Sequence, residues 1–380
     1  MRTLPEVELG IAFELGGYDF KYEDSGVTYY PLSTPKHPRW ARFLGKRNET
    51  GETTAYLKVI EDFKPDLIQI FGSENDFGAI FTLTDIPVLI HMQGSLPPYH
   101  NALFPVGMNS WDFLFCGGLC RHRRLMGLRS ESSFRKKAER EINTIQSCRH
   151  FLGRTAWDKA LVKLFNPQAN YFHCEEALRP SFFHGEKLWT PPAPSDGKVR
   201  IASVISNPWY KGLDLILKTA KLLRRFTKLD VEWKVYGVSD IVPFFEKKYG
   251  IKAAAVGVHA MGAVSQEALV EALCSAHCFV APSYIDNSPN SVCEAQLLGM
   301  PVLATNVGGV SSIVREGETG ILFPANDPYM LASHITSLLE EPDRARSLGQ
   351  AAREQALSRH NPESIGRNLL SIYRKVLKHA

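Results

Sequence analysis

No run of apolar residues in this 380-residue chain approaches the roughly 20 needed to cross a bilayer. Cysteine is sparse and unmatched, with seven residues at 116, 120, 148, 174, 274, 278 and 293. Cys116/Cys120 and Cys274/Cys278 lack the two-residue spacing of a redox or zinc pair, so all seven are expected to be reduced thiols packed in cores. The opening segment carries Glu6 and Glu8 and no basic-then-apolar leader, which leads to a cytoplasmic expectation. There is no internal repeat or low-complexity tract. No acidic cluster has metal-ligand spacing, so no metal is expected. No nucleic-acid-binding module accompanies the basic residues, which argues against a nucleic-acid partner.

What is present describes a globular chain, 44% hydrophobic and 22% charged, too long for one ordinary core. Net charge is only +4, but eight Lys/Arg fall between Arg121 and Arg140 against Glu131 and Glu139. Such a stretch is either a solvated helical face or a patch that meets an anionic membrane surface or a pyrophosphate-bearing acceptor.

Short β-rich runs alternate with helical ones. In the first half, strands are expected near 8–14, 27–33, 66–72, 88–94, 150–155 and 170–174. Helices are expected near 49–63, 75–83, 112–128, 132–147 and 156–165. In the second half, apolar runs at 199–206, 231–237, 256–260, 278–283, 301–306 and 320–324 alternate with helices. This pattern predicts α/β domains with parallel sheets covered on both faces. Pro180, Pro191, Pro192, Pro194 and Gly197 crowd the stretch between the halves. The expected division is therefore 1–180, a linker at 181–198, then 199–360. A last helix at 361–380 carries an apolar face of Ile365, Leu369, Ile372 and Val376 and packs back on the first domain. Asp327-Pro328 and Asn361-Pro362 pair an N-cap with proline at the first helical position. Two doubly wound sheets facing each other make a cleft protein, its ligand lying beyond the carboxyl ends of the strands.

The most informative stretch is A-P-S-Y-I-D-N-S-P-N-S-V-C-E-A-Q-L-L-G-M-P, residues 281–301. A strand runs into a loop, a helix opens at Ser288-Pro289, Gly299 stops it and Pro301 starts the next strand. Asp286 and Glu294, with seven residues between them, flank a helix start whose free amides suit a phosphate. Carboxylates accept hydrogen bonds from sugar and ribose hydroxyls, so the outline is that of a nucleotide-sugar site.

With these residues the chain resembles the family 4 glycosyltransferases, whose donor site is marked by an acidic residue, seven residues and a Glu. The D-N-S-P-N-S-V-C-E form looks like the subgroup that assembles surface polysaccharides. The resemblance implies the GT-B architecture, two Rossmann-like domains across a cleft, and retention of anomeric configuration without a metal. It implies a nucleotide-diphosphate sugar as co-substrate, no further cofactor, and a glycan or lipid-linked acceptor. It maps sugar contact to Asp286, ribose binding to Glu294, and backbone contacts to sugar and phosphates to Asn290, Ser291 and Val292. Lys211-Gly212 matches the family's Lys-Gly element, a cation on the leaving diphosphate. Gly308-Gly309 matches a turn after the next strand. Gly237 and Met261 end strands where the family packs the base. Where the family has an Arg five residues before that Lys, this chain has Ser206, and Arg154 is the expected substitute.

In the first half, the family's acceptor-side histidine position is held by Gln93, with His91 deeper on the same strand face. The aromatic loop S-L-P-P-Y-H-N-A-L-F-P, with Tyr99, His100 and Phe104, suits acceptor binding or plain packing. The family's opening strand and glycine-rich turn have no counterpart before E-L-G-I-A-F-E, so the first strand and helix are expected to be missing. Three other readings remain: a glycosidase built on two carboxylates, a nucleotide-sugar epimerase, and a non-catalytic subunit of the same architecture.

Overall fold

The structure, a computed structural model, describes residues 6–15, 21–32, 49–112, 121–185, 187–192 and 197–378, with 49–52, 76 and 121–130 in backbone outline only. In the first half, β1 (Leu9–Glu14), β2 (Tyr22–Asp24) and β3 (Val27–Leu32) form a small sheet ordered β1-β3-β2. β2 and β3 make an antiparallel hairpin across Ser25-Gly26, which the periodicity did not disclose because β2 is three exposed residues. Helix α1 (Glu49–Phe63) leads to a second sheet of β4 (Ile68–Phe71), β5 (Val88–His91), β6 (His150–Gly153) and β7 (Asn170–His173), all parallel and in that order. Between β5 and β6 lie α2 (Leu96–Asn101) and α3 (Arg121–Ser147), and α4 (Ala156–Phe165) joins β6 to β7.

Helix α3 corrects one expectation: 121–147 is one helix of 27 residues, where separate helices at 112–128 and 132–147 were expected. Ser132 and Ser133 are exposed, and the small cost of a solvent-facing serine does not end a helix. Residues 113–120, including Cys116 and Cys120, lie outside the described residues.

The expected linker is also firmer than its prolines suggested. Helix α5 (Pro180–Phe183) forms within it, and Phe182 and Trp189 are buried in the C-terminal core. The Trp189 indole donates to Ala276 O at 2.7 Å.

The second half has β8 (Lys198–Val204), α6 (Leu213–Phe226), β9 (Asp230–Tyr236), α7 (Val242–Tyr249), β10 (Val258–Gly262), α8 (Gln266–Cys274), β11 (Cys278–Ala281), α9 (Asn290–Leu297), β12 (Val302–Thr305) and β13 (Ile321–Phe323). Its six strands are parallel and ordered β10-β9-β8-β11-β12-β13. In sequence terms this is the doubly wound order 3-2-1-4-5-6, whose direction reverses between β8 and β11. Strands buried on both faces explain the near-continuous apolar runs. Three C-terminal helices follow: α10 (Pro328–Glu340), α11 (Pro342–Arg359) and α12 (Pro362–Lys378). Asp327 caps α10 by accepting from the Tyr329 and Met330 amides. Ile372 and Val376 of α12 are buried against Leu89, Leu152 and Cys174 of the first-half sheet, so the final helix crosses back over it. Cys148, Cys174, Cys274, Cys278 and Cys293 are free and buried, and burial raises each thiol to about 11 or 12. Among the described residues, no helix is long and apolar enough to cross a membrane.

Candidate active site

The reversal of the second sheet places the loop after β8 beside the loop after β11. The first carries Lys211-Gly212, the second Asp286, and the Lys211 Nζ lies 2.7 Å from Asp286 Oδ2. Glycine geometry fixes this pairing. Gly212 has φ +80°, and a Cβ there would meet Pro282 O at 2.1 Å. Gly308, at φ +52°, lets its backbone pass Asp286 O, where a Cβ would stand at 2.0 Å. The Gly309 amide donates to that same oxygen at 3.0 Å. Asp286 is 7% exposed and also accepts from Ser283 Oγ at 3.2 Å. Gly237, at φ +83°, closes the turn after β9, and Met261 is exposed at the end of β10.

Helix α9 opens one residue later than the sequence suggested. Pro289 is the N-cap, its carbonyl accepting from the Val292 and Cys293 amides, and the buried Ser288 hydroxyl makes no capping bond. The Val292 amide is thereby occupied and its side chain is fully buried, so the free amides of this end belong to Asn290 and Ser291. Asn290 is exposed and Ser291 half-buried. Glu294 is 4% exposed, and both its oxygens accept from Arg179, Nε and Nη2 each at 2.6 Å. Arg179 sits in a stretch whose prolines suggested only a connector.

The facing wall comes from the carboxyl ends of the four parallel first-half strands. After β5 stands Gln93, after β6 Arg154, and after β7 Glu176, which no motif marked. The Arg154 guanidinium lies 2.8 Å from Glu176, donates to Asn290 Oδ1 at 3.2 Å and reaches Gln93 Oε1 at 3.5 Å. Gln93 donates to Glu176, and His91 Nε2 lies 3.3 Å from the same carboxylate. The three first-half residues singled out in the sequence therefore converge on Glu176. His91 is 3% exposed, and burial lowers its imidazole to about 4 despite Glu176, leaving it neutral at pH 7. It braces the cluster from behind.

The two halves are keyed together by Asn287, which is fully buried. It accepts from Thr155 Oγ1 at 2.6 Å and donates to Asp158 at 3.1 Å and to Gln93 O at 3.3 Å. Thr155 and Asp158 form the capping box of α4, so a loop of the second half plugs into a helix start of the first. A cavity of about 870 Å³ opens beyond Arg154, lined by residues that include Lys159, Arg315, Glu354 and Arg359. It shares Arg154 with the cluster above but not Lys211 or Asp286.

Of the basic stretch, the side chains of Arg121, Arg123, Arg124 and Arg129 lie outside the described residues. Arg135, Lys136 and Lys137 are exposed, but Arg140 is half-buried and donates to the Glu74 carbonyl at 3.2 Å. Among the described residues, no group of three or more His, Cys, Asp or Glu is placed to hold a metal.

Residues 190–355 match the model of the family described as glycosyl transferases group 1. Over 112 residues this chain is 38% identical to the alpha-maltose-1-phosphate synthase of Mycolicibacterium smegmatis, covering 28% of this chain and 29% of that protein. Over 187 residues it is 31% identical to a D-inositol 3-phosphate glycosyltransferase of Paenarthrobacter aurescens, covering 48% and 45%. The matches thus span less than half the length of these curated relatives. The sucrose-phosphate synthase of Thermosynechococcus elongatus superposes with TM-score 0.73 at 17% identity, covering 98% of this chain and 90% of that one. The Anabaena protein HepE, solved with UDP and glucose, superposes with TM-score 0.62 at 14% identity, covering 91% and 86%. These likenesses establish the fold alone: this chain has the GT-B architecture.

Proposed function

We propose that this chain is a retaining glycosyltransferase, moving a sugar from a nucleoside-diphosphate sugar to a hydroxyl of a glycan or lipid-linked acceptor. The observation that carries the reading is the Lys211–Asp286 pair, 2.7 Å apart at the switch point of a doubly wound sheet and beside the open amides of α9. In this reading residues 199–360 bind the donor and 1–180 form the acceptor wall. Asp286 accepts from the transferred sugar's hydroxyls. Lys211, Arg154 and the Asn290 and Ser291 amides receive the charge that develops on the leaving diphosphate, so the step needs no metal. The acceptor oxygen attacks on the face from which the diphosphate departs. Gln93 donates toward the sugar, and Glu294 shares ribose hydroxyls with Arg179. Gly237 and Met261 border the base. The exposed face of α3 rests against the inner membrane surface of the cytoplasm.

The two-point Arg179–Glu294 contact favours a second reading, a non-catalytic subunit whose ribose ligand is permanently engaged. Thermal unfolding with uridine, guanosine and adenosine diphosphate sugars separates the two. A ligand at about 100 times its dissociation constant adds roughly 2.7 kcal/mol of stability. The transferase reading expects a shift with one base and slow hydrolysis of that nucleotide sugar; no shift with any of them leaves the subunit reading.

A further inference from the structure

The loop after β4 carries a carboxylate that nothing above has used. Glu74 is half-buried, and its side chain lies in a slot made by two glycines. A Cβ on Gly72 would meet its Oε2 at 2.3 Å, and one on Gly94 would meet its Oε1 at 2.9 Å. Only backbone amides hold it, those of Ser73, Glu74 and Gly94, and among the described residues no cation pairs with it. Its loop is firmly held from α3. Arg140 binds the Glu74 carbonyl, and the buried Glu141 accepts from Ser73 Oγ and, at 2.5 Å, from the Leu96 amide. Two successive residues of one helix thus tie the loop after β4 to the loop after β5.

Beside Glu74 stands Tyr99, whose ring would come within 3.4 Å of the same Cβ on Gly94, and Tyr210 packs edge to face on Tyr99 with centroids 5.1 Å apart. Lys211, the partner of Asp286, lies 5.7 Å over the Tyr210 ring. The two tyrosines thus run from the Glu74 slot to the Lys211–Asp286 pair, and both phenols are raised, by burial first, Tyr210 to about 12. Charge sorts the ligands along this line. Lys211, Arg154 and the α9 amides draw phosphate to one side. An unpaired carboxylate repels phosphate and accepts from hydroxyls, and flat aromatic faces suit the C–H face of a sugar ring.

We infer that Glu74 receives the incoming acceptor hydroxyl, holding it beside Tyr99 and Tyr210 against the sugar bound at Asp286. This rests on the transferase reading and assigns its acceptor side. The carboxylate acts in its ionised form, since only that form accepts at both oxygens. Burial raises its carboxyl above the ordinary range, and the slot amides oppose that rise.

The test uses the full chain and water as the nucleophile. The nucleotide sugar that gives a thermal shift is hydrolysed by wild type and by Glu74→Gln, with affinity for the matching nucleoside diphosphate measured alongside. Glu74→Gln is expected to keep that affinity within about twofold and lower hydrolytic kcat about tenfold or more. It should also flatten the acidic limb of the wild-type pH profile. Unchanged kcat and pH profile in Glu74→Gln, with wild type active, overturns the assignment of Glu74 alone. A wild type that neither binds nor hydrolyses any nucleotide sugar overturns the transferase reading beneath it. Gly94→Ala, which crowds the same carboxylate from its backbone side, should reproduce the kcat loss while the Asp286 loop stays intact.

Discussion

At the scale of single residues, the proposed reading turns on one lysine ammonium. Lys211 is held 2.7 Å from Asp286, and in that reading a donor diphosphate would give it a second negative partner. Lys211→Ala should therefore lower nucleotide-sugar turnover by about a hundredfold or more, with Lys211→Arg recovering part of it. Isothermal titration with the nucleoside diphosphate, run beside the rate assay, tells lost affinity from lost catalysis. Glu141 makes a different prediction, about pH. Burial raises its carboxyl from the ordinary 4.5 to about 7, although Ser73, Leu96 and Ser95 donate to it. The folded state thus keeps a proton that the unfolded state has released between those values. Stability contributed by this group falls as pH rises from 4.5 to 7, by up to about 3 kcal/mol, and is level above that. In urea unfolding, Glu141→Gln should be more stable relative to wild type at pH 8 than at pH 5. An equal difference at both pH values refutes this.

At the scale of elements, the second half was read nearly whole from its apolar runs, because strands covered on both faces have little freedom of composition. The carboxyl ends of β8 and β11 were legible for the same reason: a glycine or proline stop follows each run. What escaped was whatever depends on partners far away in sequence. Glu176, Asn287 and Glu74 are ordinary polar residues in ordinary loops, and only the parallel order of β4 to β7 brings Glu74 and Glu176 to one rim. Asp286 and Lys211 were singled out because motif and helix start fell in register, and Arg154 because it follows a strand end; the fold sets Lys211 against Asp286 and Arg154 against Asn290, whereas Arg179 was hidden by the prolines around it. The start of α9 was misplaced by one residue because Ser-Pro is as good a cap signal as the Pro-Asn that prevails. Gly212 tests the element directly. Its φ of +80° and its 2.1 Å approach to Pro282 O predict that Gly212→Ala costs about 2 kcal/mol or more and weakens nucleotide binding with it. Chemical denaturation and titration of the same sample measure both.

At the scale of the whole molecule, the chain returns on itself. Helix α12, last in sequence, buries Ile372 and Val376 on the first-half sheet, and Tyr373 donates to Gln69 beside it. Ile372→Ala should cost about 2–5 kcal/mol, and hydrogen exchange should show the loss in β5 and β6 rather than in the six-stranded sheet. Asn287 works at the same scale, since it is bonded to Thr155, Asp158 and the Gln93 carbonyl while its chain neighbour is Asp286. Asn287→Ala leaves those groups without their partner, at a cost of about 1–3 kcal/mol. Small-angle scattering should then find a larger radius of gyration. No relay is needed to tell one lobe what the other has captured. The peptide bond between residues 286 and 287 is a lever a single residue long, so in the proposed reading any shift of the aspartate toward a bound sugar would tug directly on the pin between the jaws.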